Sequence, residues 1–364
     1  MDCMVQRVTA LVPAHDEERS LPDTLASLRA QTPPPDRVIV IADRCTDRTA
    51  AVAAAAGVEV VTTVDNTDRK AGALDQALGP LLPVTTDDDL VLVVDADSAL
   101  VPGFLAAAVT RLADDPGIGA VGGVFTGRDG GGLVGALQRN EYARYAREVG
   151  RRRGEARVLT GTATLFRTRV LREVADARGR TLPGRPGAVY DPAALTEDNE
   201  ITLAIRTLGH RTVSPRECVV VTEVMTTWSD LWRQRLRWQR GALENLRAYG
   251  LTRVTAPYAL RQAAMYAGIV AVALFLLATT LFAARGDLGP PRGPWLVITV
   301  LFVVERVVTV RRRGVWAMLL AAPVVVEFGY DLVQQAVFLR AAVDLLARRA
   351  AGWHHGVAPV PAEA

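Results

Sequence analysis

The stretch Val91-Leu-Val-Val-Asp-Ala-Asp-Ser98 constrains the fold of this chain most, because an apolar run leads directly into two carboxylates, Asp95 and Asp97. A short apolar run of this kind predicts a strand that is buried on both faces of a sheet. The carboxylates would then lie at the carboxyl end of that strand, where open α/β sheets bind their ligands. Two carboxylates one residue apart suit a hard divalent cation that also holds a phosphate. A solvated Asp-Ala-Asp-Ser turn is the alternative interpretation.

The preceding residues alternate between apolar strand patterns and helical patterns, which predicts a parallel, doubly wound α/β sheet. The predicted strands before Val91 are Val8–Pro13, Arg37–Ala42 and Val58–Thr63, and the predicted helices span residues 20–30, 47–56 and 70–78. Three strands end in acidic residues, which are Asp16 and Glu17, Asp43, and Asp95 and Asp97. Parallel strands bring these ends to one edge, as a site for a metal, ribose hydroxyls and a base N–H requires. No Gly-x-Gly-x-x-Gly follows the first strand, which argues against a dinucleotide-binding enzyme.

The bulk properties exclude several classes of protein. A length of 364 residues suggests two parts, and a net charge of +3 gives no case for nucleic acid. The three cysteines are too far apart in sequence for a disulfide framework or a metal site, which favours a reducing, cytosolic environment. The apolar run near the N-terminus is too short for a signal peptide.

Lys70 is the only lysine of the chain and begins a predicted helix. An ammonium group beside the free N–H groups of a helix N-terminus could bind a phosphate. An ordinary surface lysine is the alternative.

Four motifs together resemble family 2 glycosyltransferases of GT-A fold. They are Pro13-Ala-His-Asp-Glu-Glu18, Ala42-Asp-Arg-Cys-Thr-Asp-Arg-Thr49, Lys70-Ala-Gly-Ala-Leu74 and Asp95-Ala-Asp97. The resemblance implies that Asp43 binds the uracil and Glu17 the ribose or base of a UDP-sugar, in a donor site that also includes Pro13 and Lys70. It implies that Asp95 and Asp97 hold the nucleotide and a Mg²⁺ or Mn²⁺ ion. Arg44-Cys45 replaces the Gly-Ser that is usual in the family, which changes the expected loop.

The next hundred residues resemble the acceptor half of the same family. Ile118–Phe125 predicts a further strand, residues 133–150 predict a helix, and Val158–Arg167 predicts a strand-turn-strand unit whose small residues leave room for a sugar. Thr196-Glu-Asp198 opens another helix, for which simple N-terminal capping is the alternative interpretation. Transfer by single displacement needs one base to accept the proton of the acceptor hydroxyl, and Asp198 is the candidate.

Gln234-Arg-Leu-Arg-Trp238 completes the motif set of polymerising and related membrane glycosyltransferases. On a helix, Gln234, Arg237 and Trp238 share one face. There Gln can bond hydroxyls, Arg can reach a phosphate and Trp can stack on a sugar. An interfacial helix whose Trp and Arg side chains lie among lipid headgroups is the alternative, and both can hold on opposite faces.

The last hundred residues predict membrane segments. Ala263–Ala284 carries no charge and as a helix would extend roughly 33 Å, enough to span a bilayer core. Trp295–Val310 is a second, shorter segment, and Arg311-Arg-Arg313 follows on the expected cytoplasmic side. Val315–Ala347 is too long for one span and too short for two, so a single crossing and a re-entrant hairpin both stay open. The predicted number of segments is three to four.

The sequence therefore predicts four regions. They are a cytosolic GT-A domain over residues 1–225, amphipathic interfacial helices over 226–260, a transmembrane region over 261–347 and a tail over 348–364. By resemblance to poly-N-acetylglucosamine, chitin and hyaluronan synthases, the protein is expected to be a multi-pass enzyme of the cell membrane in polysaccharide or envelope synthesis. It would be an inverting, metal-dependent hexosyltransferase that moves a sugar from a UDP-sugar, with UDP-GlcNAc as one candidate, to a carbohydrate or lipid-linked acceptor at the cytoplasmic face.

Three other functions stay open at this point. One is a non-processive transferase that forms a glycolipid. Another is a non-catalytic subunit that senses nucleotide sugars or assists assembly. A transporter is the third, and a large cytosolic domain argues against it. Two departures from the synthase group count against polymer export through one chain, because the membrane part is small and no transmembrane helix is seen before the catalytic domain.

Overall fold

The computed structural model describes residues 6–152, 154–287, 289 and 293–349. Met1–Val5 and the tail from residue 350 onward, including most of the predicted segment 348–364, lie outside the described residues. The strands are β1 Val8–Ala14, β2 Arg37–Ala42, β3 Glu59–Thr62, β4 Leu90–Val94, β5 Ala99–Leu100, β6 Ile118–Gly122, β7 Val124–Gly127, β8 Ala163–Arg167, β9 Arg211–Val213 and β10 Val219–Thr222. The helices are α1 Leu21–Arg29, α2 Thr49–Ala55, α3 Arg69–Leu81, α4 Phe104–Asp114, α5 Gly132–Arg151, α6 Thr168–Ala177, α7 Glu197–Thr207, α8 Trp228–Tyr249, α9 Ala256–Ala284, α10 Pro294–Val310, α11 Val315–Ala321 and α12 Val324–Leu346.

The main sheet has the strand order β3-β2-β1-β4-β8-β6-β9. Strands β3, β2, β1 and β4 are parallel, as the sequence predicted, and every residue of β1 and β4 is buried. Helices cover both faces: Leu74 of α3 and Ile201 of α7 belong to one apolar core, whereas Leu25 of α1 and Phe104 of α4 belong to the other. The result is a three-layer α/β/α arrangement in which the carboxyl ends of β1, β2 and β4 lie along one edge of the sheet.

The parallel order predicted for the first strands does not extend to β8, which runs antiparallel to both β4 and β6. Only Ala163–Arg167 is a strand, so the predicted strand-turn-strand unit is wrong, because residues 158–162 form a loop. Antiparallel pairing places the start of β8 beside the end of β4, with Ala163 opposite Val94. The loop before β8 therefore reaches the same edge as Asp95, whose N–H donates to the Thr162 carbonyl at 3.1 Å.

The predicted strand Ile118–Phe125 is two strands in different sheets. β6 belongs to the main sheet, and β7 pairs with β10 in a small sheet of order β5-β10-β7. The chain changes sheets at Gly123, where a Cβ atom would lie 2.4 Å from Val220. A residue with a side chain could not make this close approach.

Helices α10 to α12 pack against α5 and α8. Helix α12 lies along α8, and the buried Tyr330 of α12 joins an apolar cluster with Val134 and Leu137 of α5 and Leu231 of α8. At the end of α10, the Arg313 guanidinium donates to the amide oxygen of Asn140 in α5. These contacts tie the C-terminal helices to the sheet domain.

Among the described residues, α9 is the one helix that is by itself long and apolar enough to cross a membrane. Its most apolar window has a mean hydropathy of 2.4, and 6% of that window is buried. α11 and Val325–Leu346 meet the same criterion only together, across a bend of 70°. α10 has 17 residues and does not meet it. Length and composition thus indicate one or two spans here, against the three to four segments expected from sequence.

Candidate active site

Lys70 is the centre of a charge cluster at the carboxyl end of the sheet. Its ammonium lies 2.6 Å from Asp95, which follows β4, and 2.8 Å from Glu197, the first residue of α7. Burial disfavours the charge of Lys70, but the two carboxylates outweigh burial and raise its pKa well above the usual value. Burial raises the pKa of Asp95 to about 6, with Lys70 opposing this rise and the charge of Asp97 adding to it. The chain's single lysine is therefore an interior cation rather than a surface residue.

Asp198 lies next to this cluster on the first turn of α7. One carboxylate oxygen accepts the Gly161 N–H at 3.1 Å, and the other accepts the Asn199 N–H at 2.7 Å. Burial, followed by the negative charge of Glu197, raises the pKa of Asp198 to about 6. A carboxylate held by two N–H groups with a pKa in this range suits a general base near neutral pH.

Asp97 forms a second acidic group together with Glu17 and Glu223, the residue that follows β10. Burial raises the pKa of Asp97; the Ser98 hydroxyl, which donates to it at 3.0 Å, opposes the rise, and the charge of Glu223 adds to it. Burial raises the pKa of Glu17 to about 7, with the Ser20 hydroxyl opposing and the charges of Asp97 and Glu223 adding to the rise.

The Lys70 ammonium pairs directly with Asp95, and on Asp97 its charge only opposes the rise in pKa that burial causes. A half-buried carboxylate beside the further carboxylates Glu17 and Glu223 fits a divalent cation. Asp97 is therefore the residue best suited to hold the metal, and Asp95, paired with Lys70, lies next to it.

Asp16 does not share the environment of Glu17, although the two are neighbours in sequence. Its carboxylate accepts the Thr46 N–H at 2.5 Å and the Thr46 hydroxyl at 2.9 Å, and these bonds outweigh burial and lower its pKa. Asp16, Cys45 and Asp47 offer ligand atoms within 4.8 Å of one another, as a metal site could. Both carboxylates are already bonded to loop N–H groups, so their evident role is to shape the loop that carries Arg44-Cys45.

Asp43 follows β2 and lies at the same edge of the sheet, on the other side of β1 from Asp95. One of its carboxylate oxygens accepts bonds from the Thr63 hydroxyl and the Asn66 amide, both at 2.8 Å. β2 and β4 flank β1, so two strand spacings, about 10 Å, separate Asp43 from Asp95. Pro13 is buried inside β1, paired with Ile41, and lies beneath this edge.

The Gln-x-x-Arg-Trp residues lie in the middle of α8. Burial opposes the ionisation of Glu197, but the charge of Lys70 outweighs it and lowers the pKa of Glu197. The charge of Arg237 adds to this lowering, so Arg237 is close to the Lys70 cluster. Trp238 is 37% exposed, and the Arg235 guanidinium stacks 4.2 Å from its ring centroid. Gln234 accepts a bond from Arg235 at 2.9 Å.

Sequence reasoning missed several residues of this edge. Glu197 could have been predicted as a site residue, because it is adjacent in sequence to the candidate base Asp198. Arg235 is buried and pairs with Glu141 at 2.9 Å, so it holds Trp238 in place from inside. Gly161 belongs to the small-residue segment 158–167, but only the antiparallel β8 brings it to Asp198. Glu223 had no signal, because only the small sheet brings it to this edge.

The chain is similar in sequence to known proteins. A family model described as "Glycosyltransferase like family 2" matches residues 6–241. The poly-beta-1,6-N-acetyl-D-glucosamine synthases of Staphylococcus aureus and Staphylococcus epidermidis are 24% and 23% identical over 255 residues, which is 66% of this chain and 56% of those proteins. The chain thus spans little more than half the length of these relatives.

A solved structure with the same fold is the mannosyltransferase PcManGT from Pyrobaculum calidifontis, in complex with GDP-Man and Mn²⁺. It matches with a TM-score of 0.61 at 21% identity, over 94% of this chain and 88% of that one. The shared fold extends over nearly the whole chain, including the C-terminal helices.

Proposed function

The chain belongs to the glycosyltransferase-like family 2, and from this premise we propose that it transfers a sugar from a UDP-sugar to an acceptor hydroxyl with inversion at the anomeric carbon. The observation that carries the proposal is the meeting of Lys70, Asp95 and Glu197 beside Asp198 at one sheet edge. One displacement needs a single base, for which Asp198 is placed, and positive charge at the leaving diphosphate, which a cation held by the neighbouring carboxylates and the Lys70 ammonium would supply.

In this mechanism Asp198 accepts the proton of the acceptor hydroxyl. The hydroxyl oxygen then forms the bond to the anomeric carbon, while the bond to the diphosphate oxygen breaks on the opposite face. A divalent cation, Mg²⁺ or Mn²⁺, held by Asp97 with Asp95 would neutralise charge on the diphosphate. Lys70 and Arg237 supply fixed positive charge to the same group, and Asp43 and Glu17 bind the nucleoside. Gln234 and Trp238 contact the acceptor.

The donor and acceptor are proposed from the relatives. The synthases named above favour UDP-GlcNAc as donor and a carbohydrate acceptor, and therefore polysaccharide synthesis. PcManGT, with GDP-Man, makes a GDP-sugar the alternative donor. A glycolipid formed by a single transfer is the alternative product, and a sensing or assembly subunit without catalysis is the alternative of another class.

We propose the same four regions as the sequence predicted, with a specific path for the C-terminal helices. α9 crosses the membrane and α10 returns, since Arg313 at the end of α10 reaches Asn140 of the catalytic domain. α11 and α12 form a re-entrant hairpin, because both ends of α12 return to the cytosolic part of the chain. Glu327 contacts Arg144 of the catalytic domain at 2.8 Å, and the carbonyl of Arg349, just after α12, accepts a bond from Arg240 of the interfacial helix α8. The catalytic domain would then lie on the cytoplasmic face.

The test uses the full chain, purified in detergent or in native membranes. A panel of UDP-sugars with GDP-mannose is incubated with Mn²⁺ or Mg²⁺, and nucleoside diphosphate release is scored with and without EDTA. We expect one donor to be consumed in a metal-dependent reaction. The Asp198→Asn substitution should lower kcat by at least about 1,000-fold. Asp114→Asn, at an exposed carboxylate at the end of α4, is the matched control and should leave kcat unchanged.

Two results would contradict the proposal. If no donor in the panel gives nucleoside diphosphate release, catalysis is excluded. If the Asp198→Asn variant keeps wild-type turnover, Asp198 is excluded as the base. The size of radiolabelled product separates the polymer from the glycolipid, because a product limited to one added sugar excludes processive synthesis.

A further inference from the structure

A cavity of about 230 Å³ lies beside the active site but does not share its lining. It is lined by the end of α5, the segment after it, α7, α8 and the first turns of α9. Asn199 lines this cavity, whereas its neighbour Asp198 lines the Lys70 site. Val158 faces the cavity and Gly161 faces the Lys70 site, so the loop between these two residues forms a common wall.

The cavity carries more positive than negative charge. Arg152 and Arg261 share one carboxylate, that of Glu148, at 2.6 and 2.7 Å. Arg157 is half-buried on the same lining, and its side chain makes no ion pair or hydrogen bond to any described residue. Burial lowers the pKa of Arg157, and the charges of Arg152 and Arg261 lower it further.

The other carboxylate of the lining, Glu155, is already used, because it pairs with Arg206 at 3.2 Å. Three guanidinium groups therefore face the cavity with one shared carboxylate among them. This excess of positive charge suits an anion, and Arg can bind phosphate oxygens in a bidentate manner.

The rest of the lining is apolar and lies where α9 begins. Val149, Leu203 and Leu246 form its apolar part, and Arg261 stands two residues before the uncharged stretch Ala263–Ala284. The hydroxyl of Tyr258, one turn earlier in α9, donates to the Arg157 carbonyl and ties the helix to the cavity rim. Cationic groups above an apolar surface, at the start of a membrane helix, match an anionic lipid better than a free ion.

We propose that this cavity binds the phosphate headgroup of an anionic membrane lipid, with Arg157 as the principal contact and Arg152 and Arg261 beside it. The lipid chains would run along the apolar surface toward α9. The inference rests on the membrane placement of α9 but not on sugar transfer. Because the headgroup and Asp198 share the Val158–Gly161 wall, a bound lipid would support the loop that donates to the base.

The test measures binding, so that it can fail independently of transferase activity. The full chain in detergent is titrated with dihexanoyl phosphatidic acid, dihexanoyl phosphatidylcholine and inorganic phosphate by microscale thermophoresis. We expect saturable binding of phosphatidic acid, and at least about tenfold weaker binding of the other two. Arg157→Gln should weaken phosphatidic acid binding about tenfold, and Arg157→Lys should weaken it less because the charge remains.

Arg180→Gln is the matched control, at an exposed arginine just after α6 that does not line the cavity, and it should bind as the wild type does. Thermal unfolding of each variant shows that the protein is folded. Equal affinity for inorganic phosphate and phosphatidic acid would overturn the lipid assignment. Wild-type affinity of a folded Arg157→Gln variant would overturn the location.

Discussion

The carboxylate of Glu327 in α12 lies 2.8 Å from the guanidinium of Arg144 in α5, and Glu327 is completely buried. The same carboxylate is 3.5 Å from Arg306 of α10 and accepts a bond from Asn140 at 3.2 Å. One buried group thus joins the sheet domain to two C-terminal helices. This contact helps to hold the proposed hairpin against the sheet domain, together with the apolar cluster around Tyr330.

Replacing Glu327 by Gln should destabilise the protein by roughly 3 kcal/mol, because two guanidinium groups lose a buried counter-charge. The apparent Tm in detergent, followed by tryptophan fluorescence, measures the effect. Glu305→Gln removes an exposed carboxylate that is 3.9 Å from Arg306 and should change Tm little. Equal Tm values for the two variants would show that Glu327 does not hold the hairpin.

Replacing Lys70 by Gln should lower kcat/KM by at least about 100-fold, since it removes a fixed charge from the proposed diphosphate site. The carboxylates of Asp95 and Glu197 would also lose their common partner and become harder to ionise. Nucleotide release at several donor concentrations measures the loss, and thermal unfolding separates it from misfolding. Lys70→Arg keeps the charge with a different shape and should retain part of the activity. Wild-type turnover of a folded Lys70→Gln variant would remove Lys70 from the site.

The pH dependence of kcat should show an acid limb with a midpoint near the pKa of Asp198, about 6. Below that pH the proposed base would be protonated and could not accept the hydroxyl proton, so kcat should fall about tenfold per pH unit. The charge of Glu197 raises the pKa of Asp198, so Glu197→Gln should lower that pKa and move the limb to lower pH. Single-turnover rates at saturating donor measure this midpoint. A limb that stays in place or moves to higher pH would exclude Asp198 as the titrating base.

Replacing Arg237 by Gln should lower kcat/KM about tenfold or more, because its charge reaches the cluster around Glu197. Arg233 lies one turn earlier in α8, is half exposed and pairs with Asp230 at 2.6 Å. Arg233→Gln therefore removes the same charge from the same helix without touching the site, and should leave kcat/KM within twofold. If both variants lose activity equally, α8 acts through its overall charge rather than through Arg237.

Some features of this protein follow from local patterns. Strands β1, β2 and β4 were predicted because a short run of apolar residues between polar ones is typical of a buried strand. The first turn of α7 was predicted because Thr196-Glu-Asp198 is a helix-start pattern, and α9 because an uncharged run of that length is almost always a helix. The parallel half of the sheet then places Asp43 and Asp95 at a common edge.

The errors share one cause, which is that a local pattern does not specify a distant partner. Residues 158–167 contain a strand pattern, but only the pairing of β8 with β4 makes that strand antiparallel and brings Gly161 to Asp198. The apolar run through Gly123 reads as one strand, and only the packing against Val220 divides it between two sheets.

The sequence by itself determined which side chains have chemistry to offer, namely the acidic ends of the strands, the single lysine and the Gln-x-x-Arg-Trp helix. Only the tertiary structure decided which residues these side chains interact with. It paired Lys70 with Glu197, separated Asp16 from Glu17, and bound Glu327 to Arg144. The physical reason is that ion pairs and hydrogen bonds depend on distances of a few ångströms between residues far apart in the chain, and periodicity and composition carry no such distances.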